Sequence, residues 1–343
     1  MDLQAAVAAL DAAKDARDRV SALTQTIQAY ETGLGALREG LRQASIREAA
    51  LALQFEAKRD RVAQLIGVLS RMEAEPGPLL LLHPAGPLGT VRSGMMLADV
   101  TPALQAEAEV LKGELQEIRD LRALQVAAGE TLKNGLGVAQ QARTALSQAI
   151  SDRTTLPKRF TEDPEVLRGL LESADTLDAF AGGLALNETE QSGMQAFTSA
   201  KGKLALPVLG TVLRRANEAD AAGVRRPGIL LATRPRALVT TPWPATIRYR
   251  GPLLNYGNVI ILEPGGGYLL ILSGLDVVYG EVGEVIAAGA PLGLMGGETP
   301  GVAEFLVSVQ DGGGARDTET LYMELRQGAE PVDPADWFAA IGE

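Results

Sequence analysis

Apolar side chains recur every three or four positions through the first 72 residues. Val20, Leu23, Ile27, Tyr30, Leu34, Leu37, Leu41, Ala44, Leu51, Phe55, Val62, Leu65, Leu69 and Met72 mark the stripe, and Glu48 and Lys58 break it. A three-four alternation held over many heptads is a coiled-coil seam. A helix of that length would reach about 100 Å. So narrow a stripe needs a partner helix, and the chain supplies one between about 98 and 153. There Leu104, Ala108, Leu111, Leu115, Ile118, Leu121, Ala128, Leu132, Ala139, Leu146 and Ile150 repeat the pattern, with a slip of phase near Leu121. Thr101-Pro102 predicts the cap and first residue of this second helix. Residues 1–153 are therefore expected to form a long antiparallel coiled-coil hairpin. Its glycines, Gly33, Gly35, Gly40, Gly113, Gly129, Gly135 and Gly137, suit either close approach of the helices or a bendable rod.

The distal tip is expected at 76–97. It reads PGPLLLLHPAGPLGTVRSGMM over 76–96, which is too apolar for an ordinary exposed turn. It predicts a small helical cap, an apolar surface for a partner, or both. His83 lies here, followed by Pro84, and reads as a surface or capping residue rather than a ligand.

The pattern changes at 154–203, which reads as a linker around one amphipathic helix at about 163–184. Asp163 suits the N-cap and Pro164 the first helical position. Val166, Leu167, Leu170, Leu171, Ala174, Leu177 and Phe180 share one face, and Gly182-Gly183 is the expected stop. Such a helix must dock. Permanent packing on its neighbours is the simpler reading, and a removable cover over a binding groove is the alternative.

From 204 to 343 the period becomes that of strands. Candidates are 228–232, 245–250, 258–262, 268–272, 282–286 and 320–326, separated by Gly and Pro turns. The stretch from Val282 to Leu292 resembles the turn of lipoyl-type carriers but has no lysine to modify, which excludes a carrier role. An insertion from Gly296 to Thr320 contains the strand-like Phe305–Val309 and a triple glycine at 312–314. The fold class is thus α+β and multidomain, with the helical hairpin first and a β-rich domain last.

Composition narrows the function. A net charge of −11 argues against nucleic acid, because phosphate binding needs clustered positive charge. With one His and no Cys, no zinc site of the usual composition can be assembled. No window holds the roughly 18 apolar residues of a membrane span. Met1-Asp2-Leu3-Gln4 leads directly into helix, so an exported protein would have shed its signal before this start.

Four landmarks then occur in order: YGNVIILEPGGGY from Tyr256, VGEVIAAGAPLGLMG from Val282, LYMELR from Leu321, and PVDPADWF from Pro331. This series resembles the LytM-type (M23) zinc endopeptidases of peptidoglycan, whose domain is a lipoyl-like β barrel-sandwich. In that family a His and an Asp four residues apart bind zinc, and the aligned positions here are Arg226 and Leu230. The H-x-H pair corresponds to Thr320 and Tyr322, and a further catalytic His to Gly274. Leucine has no lone pair to donate, and a guanidinium stays charged and would repel the ion. The resemblance therefore implies a degenerate homologue without catalysis, metal or other cofactor.

A coiled-coil hairpin followed by such a domain is similar to the EnvC family of murein hydrolase activators. This implies a periplasmic protein at the division septum that activates N-acetylmuramoyl-L-alanine amidases. It also implies that the hairpin docks on FtsX of the FtsEX complex, that peptidoglycan is a further contact, and that the 163–184 helix is an autoinhibitory cover. Groove positions carried over are Leu230, Tyr256, Val259, Leu272 and Arg326. Arg226, Gly274 and Tyr322 are added because they stand where catalytic groups stood. Leu272 replaces the family's usual Tyr, and Pro227 stands where a polar residue is expected. Two other readings are an efflux or secretion adaptor, in which β sequence usually precedes the hairpin, and a peptidoglycan-binding scaffold.

Overall fold

The protein is described by a computed structural model that covers residues 16–58, 63, 67, 86–151, 153, 169–172, 174, 176–185, 197–298 and 318–339. Its chain divides into two compact units. One holds residues up to Ala36, Lys133–Gly301 and Ala315–Glu343, and the other holds Leu37–Leu132 and Val302–Gly314.

Two long helices run through the first half: α1, Ala16–Ala57, and α2, Gly86–Ser151. In the unit spanning 37–132, Leu41, Ala44 and Leu51 of α1 are buried, as are Leu111, Ala128 and Leu132 of α2. Both breaks in the apolar stripe are positions of cross-helix ion pairs. Glu48 accepts from Arg122 Nε at 2.7 Å and from Gln125 Nε2 at 2.9 Å, and Lys58 reaches Glu114 at 2.8 Å. Arg122's hydrogen bond holds the Glu48 carboxyl below the usual carboxylate range. Arg47 adds a third pair with Glu117 at 2.8 Å. Exposed pairs of this kind contribute only about 0–1 kcal/mol each, but they fix which residues face one another.

The second helix departs from expectation at its start. It is already helical from Gly86, so the 86–97 part of the expected tip belongs to α2, and Pro102 lies inside the helix rather than at its first position. Thr101 is therefore not a cap. The remainder of the expected tip, His83 included, lies outside the described residues.

In the other unit a sheet of ten strands forms the centre. The strands are β1 Gly210–Arg214, β2 Ile229–Thr233, β3 Leu238–Thr240, β4 Ala245–Pro252, β5 Asn258–Gly265, β6 Tyr268–Val278, β7 Val285–Ile286, β8 Pro291–Met295, β9 Glu319–Gln327 and β10 Glu330–Val332. The main path runs β1-β2-β9-β6-β5-β4-β7, with β10 on β9 and β8 joining β3 to β6. Every pairing is antiparallel. All six expected strands are present within a few residues, whereas β1, β3, β8 and β10 were not foreseen. Three of these have five residues or fewer with little alternation, and β1 alternates half-buried with exposed positions.

Period-two geometry sends successive side chains to opposite faces. Along β6, Leu270 and Leu272 enter one cluster with Ile260, Leu262, Met323, Trp337 and Phe338, while Leu269 and Ile271 enter another with Val259, Ile261 and Tyr322. Both faces are therefore covered.

A third cluster joins the helix ends to the sheet. Val20, Leu23 and Ile27 of α1 and Ala142, Leu146 and Ala149 of α2 pack with Leu238, Tyr279 and Leu294. Ser147 Oγ and the Tyr279 hydroxyl lie 2.9 Å apart, and Arg153 pairs with buried Glu284 at 2.9 Å. Close approach explains two of the glycines: a Cβ on Gly135 would lie 2.8 Å from Leu34 Cδ2, and one on Gly35 would lie 3.0 Å from the Arg234 guanidinium. Gly33, Gly40, Gly113 and Gly137 have open space and no such requirement.

Candidate functional site

The face carrying Val259, Ile261, Leu269, Ile271 and Tyr322 is covered by α3, Leu177–Ala185. Thr176 starts this helix: its Oγ1 accepts from Ala179 N at 3.1 Å and its carbonyl from Phe180 N at 3.1 Å. Leu177, Phe180, Ala181 and Leu184 then point at the sheet, each no more than 3% exposed. Phe180 meets Tyr249 edge-on with ring centres 4.8 Å apart. Upstream, Ala174, Leu170 and Leu171 pack on the same cluster. The helix runs to Ala185, so Gly182-Gly183 does not end it. Within the expected 163–184 helix the described residues are helical at 169–172 and again from Leu177, with Ala174 and Thr176 non-helical. Val166, Leu167 and the expected Asp163 cap lie outside the described residues.

Strand register arranges the covered face in rows. Leu230, Tyr322, Ser273 and Val259 are neighbours across β2, β9, β6 and β5. The next row is Glu324, Ile271, Ile261 and Tyr249, and Arg326 faces Leu269 beyond it. Tyr322, Glu324 and Arg326 thus form a polar ladder on β9. The Tyr322 hydroxyl donates to Glu324 Oε2 at 2.6 Å and accepts from Gly228 N at 3.1 Å. Arg326 Nη1 donates to Glu324 Oε1 at 2.7 Å, and its Nη2 donates to the Ala329 carbonyl. Burial raises the Tyr322 pKa, and the Glu324 charge adds to the rise, so the phenol keeps its proton.

Two sheet arginines hold the ends of α3. Arg326 Nη1 donates to Asp178 Oδ1 at 2.5 Å near the helix start. Arg248, itself paired with buried Glu263 at 2.8 Å, donates Nη2 to the Leu184 carbonyl at 3.4 Å. Carboxylate at the N-terminal turn and cation at the C-terminal turn both complement the helix dipole.

Of the positions named from sequence, Leu230, Tyr256, Val259, Tyr322 and Arg326 meet on this face or at its rim. Leu272 does not. It enters the opposite core, because its even position on β6 alternates with Leu269 and Ile271. Arg226 is exposed. Its charge is a minor influence on Asp220, whose carboxyl is lowered chiefly by the Val224 amide. Gly274 sits at φ 100°, where an added Cβ would lie 2.5 Å from the Thr320 carbonyl oxygen. Its role is backbone approach between β6 and β9. Gly274→Ala is expected to destabilise the sheet by about 1–3 kcal/mol, read as a lower urea midpoint; an unchanged midpoint would refute the close-approach argument. Arg248, Glu263, Tyr249, Glu324 and Asp178 were missed. The unbroken apolar runs Val259–Leu262 and Leu269–Leu272 are the signal that could have found the second covered face.

Among the described residues, no three His, Cys, Asp or Glu side chains gather so as to hold a metal ion. Nor is any described helix long and apolar enough to cross a membrane.

No family model matches the chain. It is 28% identical over 141 residues to the uncharacterized protein NMB1333 of Neisseria meningitidis serogroup B, a match covering 41% of this chain and 21% of that protein. The chain thus spans about a fifth of that relative's length. Similar solved structures include Helicobacter pylori Csd3, at 17% identity over 39% of this chain and 34% of that one, TM-score 0.30. A catalytic domain of the prophage-encoded M23 protein EnpA from Enterococcus faecalis is 14% identical, covering 37% and 89%, TM-score 0.29. A zinc-containing peptidase from Vibrio cholerae is 16% identical, covering 39% and 38%, TM-score 0.28.

Proposed function

We propose that this chain is a non-catalytic activator of peptidoglycan N-acetylmuramoyl-L-alanine amidases, with its partner-binding face closed by α3. The observation that carries the reading is the seat of α3. It lies on the face containing Leu230 and Tyr322, the positions that correspond to metal ligands in the LytM-type resemblance. The side chains there suit an amphipathic helix: an apolar floor, with Arg326 and Arg248 as polar anchors at the two ends. The carboxylate on this face, Glu324, is already engaged by Tyr322 and Arg326. In this reading Leu230 and Tyr322 stand at the ligand positions and offer a metal ion neither imidazole nor carboxylate.

In this reading α1 and α2 form a coiled-coil hairpin that docks on FtsX in the periplasm at the septum. FtsEX uses ATP to drive release of α3, and a helix from the amidase replaces it. The ends of α1 and α2 are built into the same unit as the covered face, through Leu238, Tyr279 and Leu294. A mechanical signal in the helices therefore has a packed route to the sheet.

Dye release from labelled peptidoglycan tests the reading. The chain should be deleted only for 160–190, because a fragment starting near 200 would strip α1 and α2 from the third cluster. Release is expected when this protein and the cognate amidase are combined, at a rate well above the amidase alone. Release by the protein alone would establish hydrolysis. No enhancement with a competent amidase would refute the activator reading and favour the adaptor or the scaffold.

A further inference from the structure

One edge of the sheet carries a charge opposite to that of the chain. β1 stands at the end of the strand path and, among the described residues, pairs with β2 alone. Its outer row of N–H and C=O groups thus faces no other described strand. Such edges are ordinarily blunted by lysine, proline or an inward charge, because an open edge invites another strand. None of these stands at 209–213, which reads Leu-Gly-Thr-Val-Leu. Leu209 is 47% exposed and Leu213 55%, with exposed Thr211 between them. A bulge opposite Leu230 ends the regular register after Val212, and the chain continues into Arg214 and Arg215.

The edge forms one wall of a groove. Thr32, Gly35 and Ala36 of α1 and Leu209, Gly210 and Thr211 line about 280 Å³, all within one compact unit. Arg234 belongs to the same lining and follows Thr233, the register partner of Gly210, so it marks the Leu209 end. Its Nη1 donates to the Glu31 carbonyl at 3.2 Å, while the Glu31 carboxylate is engaged by Arg143 and the Leu238 amide. At the opposite end the β1–β2 loop brings exposed Arg226 back beside exposed Arg215, because Asn217 N donates to the Arg226 carbonyl at 2.7 Å. From Leu213 to Arg236 there are six arginines against one Glu and one Asp, in a chain of net charge −11. Both acids serve the loop itself: Glu218 accepts from Arg215 N at 2.9 Å, and Asp220 accepts from the Ala222 and Val224 amides.

We infer that the outer edge of β1 is a strand-addition site for an extended segment of a partner protein, apolar at alternate central positions and carrying carboxylates at both ends. Main-chain pairing along 209–212 supplies the affinity. Leu209 and Leu213 select the alternate apolar side chains, and Arg234 at one end and Arg215 with Arg226 at the other select the carboxylates. Extended chain from Leu209 to Arg215 covers about 20 Å, so a partner segment of about seven residues suffices. The same edge of a second copy is a poor occupant, because it brings arginines rather than carboxylates. The site is a strand edge and not the face beneath α3, and it does not depend on the activator reading.

The test titrates the whole chain with two synthetic peptides, acetyl-EETVTVEE-amide and acetyl-KKTVTVKK-amide. The acidic peptide is expected to bind about tenfold or more tightly, against the net charge of the chain, and to weaken as salt rises. It is also expected to slow hydrogen exchange of those amides at 209–213 that exchange freely in the unbound chain. Leu209→Glu, at an exposed position, should abolish binding with an unchanged thermal midpoint. Arg215→Glu combined with Arg226→Glu should remove or reverse the preference between the peptides. Binding of neither peptide, equal binding of both, or binding that leaves exchange at 209–213 unaltered overturns the inference. It also falls if no amide at 209–213 exchanges freely in the unbound chain, since the edge is then already paired. Sedimentation would in that case tell a second copy from a segment of the same chain.

Discussion

On the proposed reading, the otherwise unaltered chain carrying Phe180→Asp is expected to activate the amidase without any signal from the helices. Phe180 is completely buried against Tyr249 at the centre of the covered face. Truncating such a residue typically costs about 3–5 kcal/mol. That is roughly a hundredfold to a few thousandfold in the ratio of closed to open protein. A carboxylate adds the penalty of an unpaired charge above Val259, Ile261 and Ile271, so the variant lies at or beyond the upper end. The face below is unchanged and keeps Arg326, Tyr322 and Leu230. Dye release with the variant plus amidase should therefore approach that of the 160–190 deletion, whereas the unaltered chain stays near the amidase alone. Hydrogen exchange supplies the control: amides of 177–185 should exchange quickly in the variant. Fast exchange there without activation would show that α3 packs on the sheet without blocking a partner.

The regular elements were legible in the sequence because their periods are long or strong. The stripe from Val20 to Leu51 placed α1, and alternation or apolar runs placed the six main strands. The site was half legible. Leu230, Tyr322 and Arg326 could be named because each stands in a motif, LYMELR or the Arg226–Leu230 step. Their partners could not, because Asp178 reaches Arg326, and Leu184 reaches Arg248, across 148 and 64 residues of chain. Pairing over such separations leaves no periodic trace. Leu272 went to the wrong face for a different reason. In a run of consecutive apolar residues buried on both sides, hydrophobicity no longer says which way a side chain points, and only register decides. Pro102 misled in a third way: a proline that reads as a helix start is also tolerated within a long helix.

Arg143→Met is expected to weaken the junction between helices and sheet strongly at neutral pH and much less in acid. Glu31 of α1 and Arg143 of α2 are both buried and pair at 2.8 Å. Glu31 Oε1 also accepts the Leu238 amide at 3.0 Å, and Arg234 donates to the Glu31 carbonyl at 3.2 Å. One carboxylate thus ties α1, α2 and β3 together. Burial raises its pKa above the ordinary 4.5, while Arg143, the Leu238 amide and Arg234 pull the other way. A carboxyl with a raised folded pKa contributes its full stability below the unfolded value and loses it as pH climbs through the folded value. Removing Arg143 removes the strongest opposing influence, so the folded pKa rises further and the loss at neutral pH deepens. Leaving one member of a buried pair alone costs about 3–5 kcal/mol. Trp243 and Trp337, both in the sheet unit, report urea unfolding by fluorescence. The midpoint deficit of Arg143→Met should be large at pH 7 and shrink as the pH is lowered and Glu31 takes up its proton. Adding Glu31→Gln should recover much of the neutral-pH deficit, because the amide still accepts from Leu238 and carries no charge. A deficit equal at both pH values, and untouched by Glu31→Gln, would assign the effect to lost packing and leave the buried pair without an electrostatic role in the junction.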